Sequence, residues 1–155
     1  MIRYQLNEGI TSEAFIDILK RSGLSERRPI DKPGVIDKMV KNANLIVSAR
    51  NDSGKLIGVA RCVTDYAYCC YLSCLAVDNA YQAQGIGKAL IREVLCAVGE
   101  EGSLLLLSAP GAENYYLKTN FENCPNAYLI GGGEAHKAAL RRFLGPDNDC
   151  GRCDS

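Results

Sequence analysis

Between residues 75 and 90 the chain reads Leu75-Ala76-Val77-Asp78-Asn79-Ala80-Tyr81-Gln82-Ala83-Gln84-Gly85-Ile86-Gly87-Lys88-Ala89-Leu90, and this stretch constrains the fold more than any other. An apolar strand ends in a short polar turn. A glycine-containing loop then opens a segment in which Ile91, Val94, Leu95 and Val98 recur at i, i+3, i+4 and i+7, with Ile86 and Leu90 extending the stripe to Gly99. Residues 103–108 follow as a short apolar strand, the pattern of a buried parallel neighbour. The unit is a strand–helix–strand crossover. The first amides of its helix lack internal partners, and the helix dipole adds positive potential there. Glycines at 85 and 87 remove side chains that would hold a phosphate off the backbone. The loop is therefore an anion site suited to phosphate or pyrophosphate, although glycines that only tighten a turn would leave the same pattern.

Two phosphate-binding fingerprints fail. A Walker loop needs Gly five residues before Gly87 and Ser or Thr after Lys88, where the chain has Gln82 and Ala89. A dinucleotide fingerprint needs a third glycine at position 90, which is Leu90.

Elsewhere, residues 2–6 alternate as a first strand. Thr11 is the expected cap of a helix carrying Phe15, Ile18 and Leu19 and ending at Gly23. A polar stretch with Arg27, Arg28 and Pro29 leads to a second helix, with Asp31 as its predicted cap, Pro33 in its first turn and Ile36, Met39 and Val40 as its stripe. Residues 45–49 and 55–64 flank an Asn51-Asp52-Ser53-Gly54 turn and predict a hairpin. Residues 68–77 form a cysteine- and tyrosine-rich strand of poor alternation, as in a strand that is covered on both faces or bulged. A short helix carries Tyr115 and Tyr116, with Asn120 as a left-handed cap. Residues 126–130 are expected as a last strand, and 134–143 as a helix closed by Gly145-Pro146. The order β-α-α-β-β-β-α-β-α-β-α defines an α+β domain with a mixed, mostly antiparallel central sheet flanked by helices. One domain is expected over 1–145, with a polar tail at 146–155.

Composition excludes several classes. A length of 155 residues fits a single domain that buries roughly 70% of its unfolded surface. Eighteen Lys and Arg cancel 18 Asp and Glu, against the basic surplus of a general nucleic-acid binder. No apolar run nears the roughly 20 residues of a membrane span. The N-terminus predicts no signal peptide, so the expected location is the cytoplasm. Eight cysteines in 155 residues, about 5%, fall below a disulfide scaffold and are expected as reduced small hydrophobes. Cys150-Gly-Arg-Cys153 lacks a second pair and His136 is the lone histidine, so no metal is expected.

Gln82-x-x-Gly85-x-Gly87, following Leu75-Ala76-Val77, resembles the acetyl-CoA loop of the GCN5-related N-acetyltransferases (GNAT), whose pattern is Gln/Arg-x-x-Gly-x-Gly/Ala. Tyr115-Tyr116-Leu117-Lys118-Thr119-Asn120-Phe121 is similar to that family's Phe-Tyr-x-x-x-Gly-Phe segment, with Asn120 where Gly is usual. The element order matches over roughly residues 2–130. Arg27-Arg28-Pro29 and the segment from Lys55 to Arg61 further resemble the small aralkylamine acetyltransferase-like branch.

The resemblance implies the acyl-CoA N-acyltransferase fold, acetyl-CoA as co-substrate, and direct attack by a primary amine of a small molecule in a ternary complex. Gln82, Ala83, Gln84, Gly85, Ile86, Gly87 and Lys88 would hold the CoA pyrophosphate. The backbone of Leu75, Ala76 and Val77 would pair with the pantetheine arm and offer N–H groups to the oxyanion. Tyr116 would be the general acid, since a phenol of ordinary pKa ~10 stays protonated at neutral pH; a core aromatic would read the same way.

Two positions depart from the pattern. Where many members carry a Glu base, this chain has Cys74 preceded by Ser73, and Ala109 replaces an Asn that contacts CoA. The base is therefore unassigned, with Asp65, Tyr66 and a water chain as candidates. Cys74 as an acyl carrier would require ping-pong kinetics, unlike the family. The acceptor is expected near residues 24–36 and the loops at Asp65 and Asn123. No nucleic-acid or membrane partner is expected, and a homodimer is common in the family. The alternative reading is a non-catalytic CoA-binding or regulatory domain that keeps the loop.

Overall fold

A computed structural model describes residues 1–144. The predicted tail, with Gly145-Pro146, Cys150 and Cys153, lies outside the described residues. Ten elements appear in chain order: β1 (Arg3–Leu6), α1 (Ser12–Arg21), α2 (Pro33–Asn42), β2 (Leu45–Arg50), β3 (Leu56–Thr64), β4 (Cys69–Val77), α3 (Ile86–Val98), β5 (Ser103–Leu106), α4 (Glu113–Leu117) and α5 (Glu134–Leu144). Short 3₁₀ turns at Leu24–Arg27 and Asn79–Tyr81 join α1 to α2 and β4 to α3.

Local chemistry accounts for the boundaries. Thr11 Oγ1 accepts the Ala14 N–H at 3.2 Å and caps α1. Pro33 opens α2 at its first position, which makes Lys32 the cap residue. Asp31 stands one residue too early and does not cap. Gly99, at φ 85°, ends α3.

The sheet order is β1-β2-β3-β4-β5, antiparallel except for the parallel β4–β5 pair. On one face Phe15, Ile18 and Leu19 of α1 and Ile36 of α2 pack with Ile46, Val59, Cys74 and Ala76. Each fully buried apolar side chain of this kind contributes about 1.5–3 kcal/mol. Neighbouring strand residues point to opposite faces, and Gly58, next to Val59, faces α3. A β-carbon there would meet Leu90 Cδ1 at 3.1 Å and Ile86 Cγ2 at 3.2 Å. The missing side chain lets α3 lie close.

Three expectations need correction. In β4, Cys70, Leu72, Cys74 and Ala76 are buried, while Cys69 and Tyr71 are exposed and Ser73, Leu75 and Val77 half-buried. Burial along the strand does alternate, and the expected bulge is present at Ser73. Apolar Leu75 and Val77 on the less buried side hide the period in the sequence. β5 is parallel, as predicted, but shorter than expected and half-exposed, with Leu105 44% accessible, because it is the sheet edge among the described residues. Residues 126–130 are not a strand, and Tyr128 is 96% exposed. Three consecutive apolar residues there, Tyr128, Leu129 and Ile130, have no period of two to set one face against a core.

The chain divides into two compact units, Met1–Tyr115 and the part from Tyr116 onward. In the second, Asn120 adopts φ 65° as expected, and the Tyr116 and Phe121 rings meet edge to face at 5.6 Å. Among the described residues no helix is long and apolar enough to cross a membrane.

Candidate active site

The loop after β4 is held from beneath by Asp78. Its N–H donates to Ile57 O at 2.9 Å, and its Oδ1 accepts the Ala80 N–H at 3.0 Å. Its Oδ2 pairs with Arg21 of α1 and with Lys55 Nζ at 3.3 Å. Arg21 also donates to Leu56 O at 2.7 Å, so one guanidinium ties α1 to the ends of β3 and β4. Burial, at 5% exposure, pushes the Asp78 carboxyl up, but the Ala80 amide, Arg21 and Lys55 outweigh it and leave it below the ordinary range.

The two loop glutamines brace the turn with their side chains. Gln82 Nε2 donates to Val77 O at 3.2 Å and to Asn79 Oδ1 at 2.8 Å; Gln84 Nε2 donates to Ala80 O at 3.4 Å. Ala83 and Gly85 both take positive φ, 60° and 82°. For alanine that conformation costs about 1 kcal/mol, and nothing in the sequence announced it. Gly85 is the cap residue of α3 and supplies no side-chain bond to the first turn, which carries no acid. A β-carbon on Gly85 would meet nothing within 4 Å. First-turn amides with no side-chain cap, beside open space at Gly85, fit a pyrophosphate. Ile86 is buried, so only its backbone can take part, whereas Lys88 is exposed.

The β4 edge supplies the second feature. β5 pairs with β4 only from Cys69↔Ser103 to Leu72↔Leu106. Beyond Leu72, residues 73–77 have no ladder partner on that side among the described residues. On the other side, β3 pairs Arg61 with Cys74 and then Cys62 with Leu72, which makes Ser73 the extra residue of a bulge. Leu75, Ala76 and Val77 thus offer backbone donors and acceptors to an amide-bearing chain, as the pantetheine reading requires.

Tyr115, secondary to Tyr116 in the sequence pattern, takes a defined place in the structure. Its hydroxyl lies 2.5 Å from where a β-carbon on Gly87 would stand, at the start of α3. Burial raises its pKa, so the phenol keeps its proton at neutral pH. Tyr116 begins the second unit, where its ring meets Phe121.

The candidate bases are occupied. Asp65 Oδ1 accepts three amides, from Ala67, Tyr68 and Cys69, at 2.9–3.0 Å, and these bonds hold its carboxyl far below the ordinary range. It lies before β4 begins, at least five strand residues or roughly 16 Å from Cys74. The Tyr66 hydroxyl donates to Asn44 O. Both residues secure the β3–β4 turn. At the bulge itself stand two arginines. Arg28 donates from Nε to Cys74 Sγ at 3.2 Å and from a terminal nitrogen to Ser73 O at 2.5 Å. Arg61 donates to Ser73 Oγ at 2.6 Å. Among the described residues no group of three His, Cys, Asp or Glu is placed to hold a metal ion.

A mixed five-stranded sheet that loses its β4–β5 pairing beside a glycine-capped helix defines an acyl-CoA N-acyltransferase fold. The model of the acetyltransferase (GNAT) domain matches residues 42–123, and the chain belongs to that family. Histone acetyltransferase TAP1 of Glycine max is 29% identical over 111 residues, covering 64% of this chain and 47% of that protein. The chloroplastic GCN5-related N-acetyltransferase 2 of Arabidopsis thaliana is 27% identical over 154 residues, covering 81% and 60%. The chain thus spans about half the length of the relatives it matches. A GNAT family acetyltransferase of Streptococcus pneumoniae superposes with TM-score 0.68 at 21% identity, covering 86% of this chain and 100% of that one. The GNAT family N-acetyltransferase YhbS of Escherichia coli, solved in complex with CoA, gives 0.60 at 22% identity, covering 78% and 68%.

Proposed function

We propose that this chain transfers the acetyl group of acetyl-CoA to a primary amine of a small molecule, in a ternary complex. The observation that carries the reading is the pairing of an open α3 N-terminus at Gly85 with an unpartnered β4 edge at residues 73–77. The small aralkylamine-like branch suggested by Arg27-Arg28-Pro29 belongs to the same proposal.

Acetyl-CoA supplies an activated acyl group. The residues then have four tasks. The amides from Ala83 to Lys88 bind the diphosphate, and the β4 edge aligns the thioester. The N–H groups near Val77 stabilise the oxyanion of the tetrahedral species. Tyr116 donates a proton to the departing thiolate sulfur. Arginines, and no carboxylate among the described residues, meet Ser73 and Cys74, so the acceptor amine passes its proton to water rather than to a carboxylate base.

That last point also favours the second reading, a CoA-binding domain without turnover, because arginines rather than a carboxylate meet Ser73 and Cys74. Amine-dependent release of CoA thiol separates the two. Under the first reading CoA at 100 times Kd raises stability by about 2.7 kcal/mol, and amines release thiol. Gly85→Ala, strained at φ 82° by about 1 kcal/mol and filling the open space, weakens both effects. Stabilisation by NADH or ATP but not by CoA would overturn the loop assignment.

A further inference from the structure

Arg61 is a buried cation that meets no acid among the described residues. It projects from β3, 7% exposed, on the strand pair it makes with Cys74. Its terminal nitrogens donate to Met39 O at 3.2 Å and Ser73 Oγ at 2.6 Å, and its Nε is buried with no partner. Arg28, half-buried after the 3₁₀ turn that follows α1, reaches the same two residues through Cys74 Sγ and Ser73 O, and its other terminal nitrogen donates to Arg27 O at 2.8 Å. Neither arginine forms an ion pair among the described residues, although Arg21 and Arg50 both do. A buried guanidinium with an unsatisfied N–H is costly unless an anion meets it. Two planar forks that converge on one strand bulge match a carboxylate or phosphate, each able to accept paired N–H bonds.

We infer that the acceptor carries an anionic group beside its amine, a carboxylate or a phosphate, and that Arg28 and Arg61 hold it against Ser73 and Cys74. This rests on the acetyl-transfer reading and narrows its substrate to zwitterions such as amino acids. The bulge is where β4 leaves β5, so an anion held there sets the attached amine at the unpartnered edge where the thioester is aligned.

The test measures CoA-thiol release from acetyl-CoA with the common amino acids, their primary amides and the corresponding decarboxylated amines. O-phosphoethanolamine against ethanolamine forms the phosphate arm, and the thermal shift with CoA alone is measured in parallel. The expected result is an anionic acceptor preferred at least about tenfold in kcat/KM over its uncharged partner. Arg28→Gln, at a half-exposed position that tolerates substitution, brings the preference below about threefold, mainly through KM. Arg28→Lys restores part of it, with melting temperature unchanged in both. Amides or simple amines used as well as acids would overturn the inference while acetyl transfer stands. So would a preference that survives Arg28→Gln, or a CoA shift with no thiol release from any anionic acceptor. Absence of thiol release from every acceptor, charged or uncharged, would instead remove the acetyl-transfer reading, and the inference with it.

Discussion

The Tyr115 hydroxyl occupies the space beside Gly87 that any larger residue at 87 would claim: the two are separated by one missing β-carbon, 2.5 Å from the phenol oxygen. Helix propensity alone makes Gly87→Ala stabilising by up to about 1 kcal/mol. In the native protein that gain is offset, because the new methyl must push the phenol aside. In a Tyr115→Phe background the nearest ring carbon is 3.5 Å from the β-carbon, an ordinary contact, and the gain returns. A double-mutant cycle by urea denaturation is expected to give a coupling of about 0.5–1 kcal/mol. Strict additivity would show that Tyr115 does not rest on the start of α3.

Asp78 is expected to make stability acid-sensitive. Its folded pKa lies below the unfolded value of ~3.9. A depressed carboxyl contributes stability above the unfolded pKa and loses it as pH falls through the folded one. The contribution is therefore complete at neutral pH and fades below about pH 4. Asp78→Asn keeps an acceptor for Ala80 but leaves Arg21 with only the exposed Asp17 as its acid, and is expected to cost about 1.5–2 kcal/mol at pH 7. The deficit should shrink toward pH 3. Denaturant midpoints of both proteins between pH 7 and 3 check this, and parallel curves would refute it.

Thiol reactivity should follow burial. Cys62, Cys70 and Cys74 are buried; Cys69, Cys96 and Cys124 are exposed. Burial, with Cys70 beside it, pushes the Cys62 thiol up, so little thiolate forms. Peptide mapping after brief iodoacetamide treatment should find the exposed three modified and the buried three spared until the protein unfolds. Early alkylation of Cys62 would contradict the core packing.

The helices and most strands were legible because their burial follows one period. Phe15, Ile18 and Leu19 stand three and four apart, and a single core faces them. The glycine loop was legible for the same reason, since its cause is local. What escaped the sequence depends on partners far along the chain. Asp78 acts through Arg21, 57 residues away, and Arg28 meets Cys74 across 46. Asp65 is a candidate base by sequence, but three amides of its own turn close on it. Composition predicts a strand over 126–130, yet strands exist by pairing and this segment finds no ladder among the described residues.

Tyr116→Phe separates a proton donor from a packing residue. The substitution keeps the ring that meets Phe121 at 5.6 Å and removes only the hydroxyl, so melting temperature should hold within about 2 °C. If the hydroxyl protonates the departing thiolate, kcat falls roughly 10²-fold or more, the scale of general acid catalysis. Acetyl-CoA affinity should move less than about threefold, because the lost interaction belongs to the transition state rather than to uniform binding. Tyr115→Phe serves as the comparison, since its phenol rests on Gly87 and burial also keeps it protonated. Steady-state kinetics of both variants with one accepted amine decide the assignment. A full rate in Tyr116→Phe with a collapse in Tyr115→Phe would transfer the proton donation to Tyr115, and full rates in both would leave the thiolate to solvent.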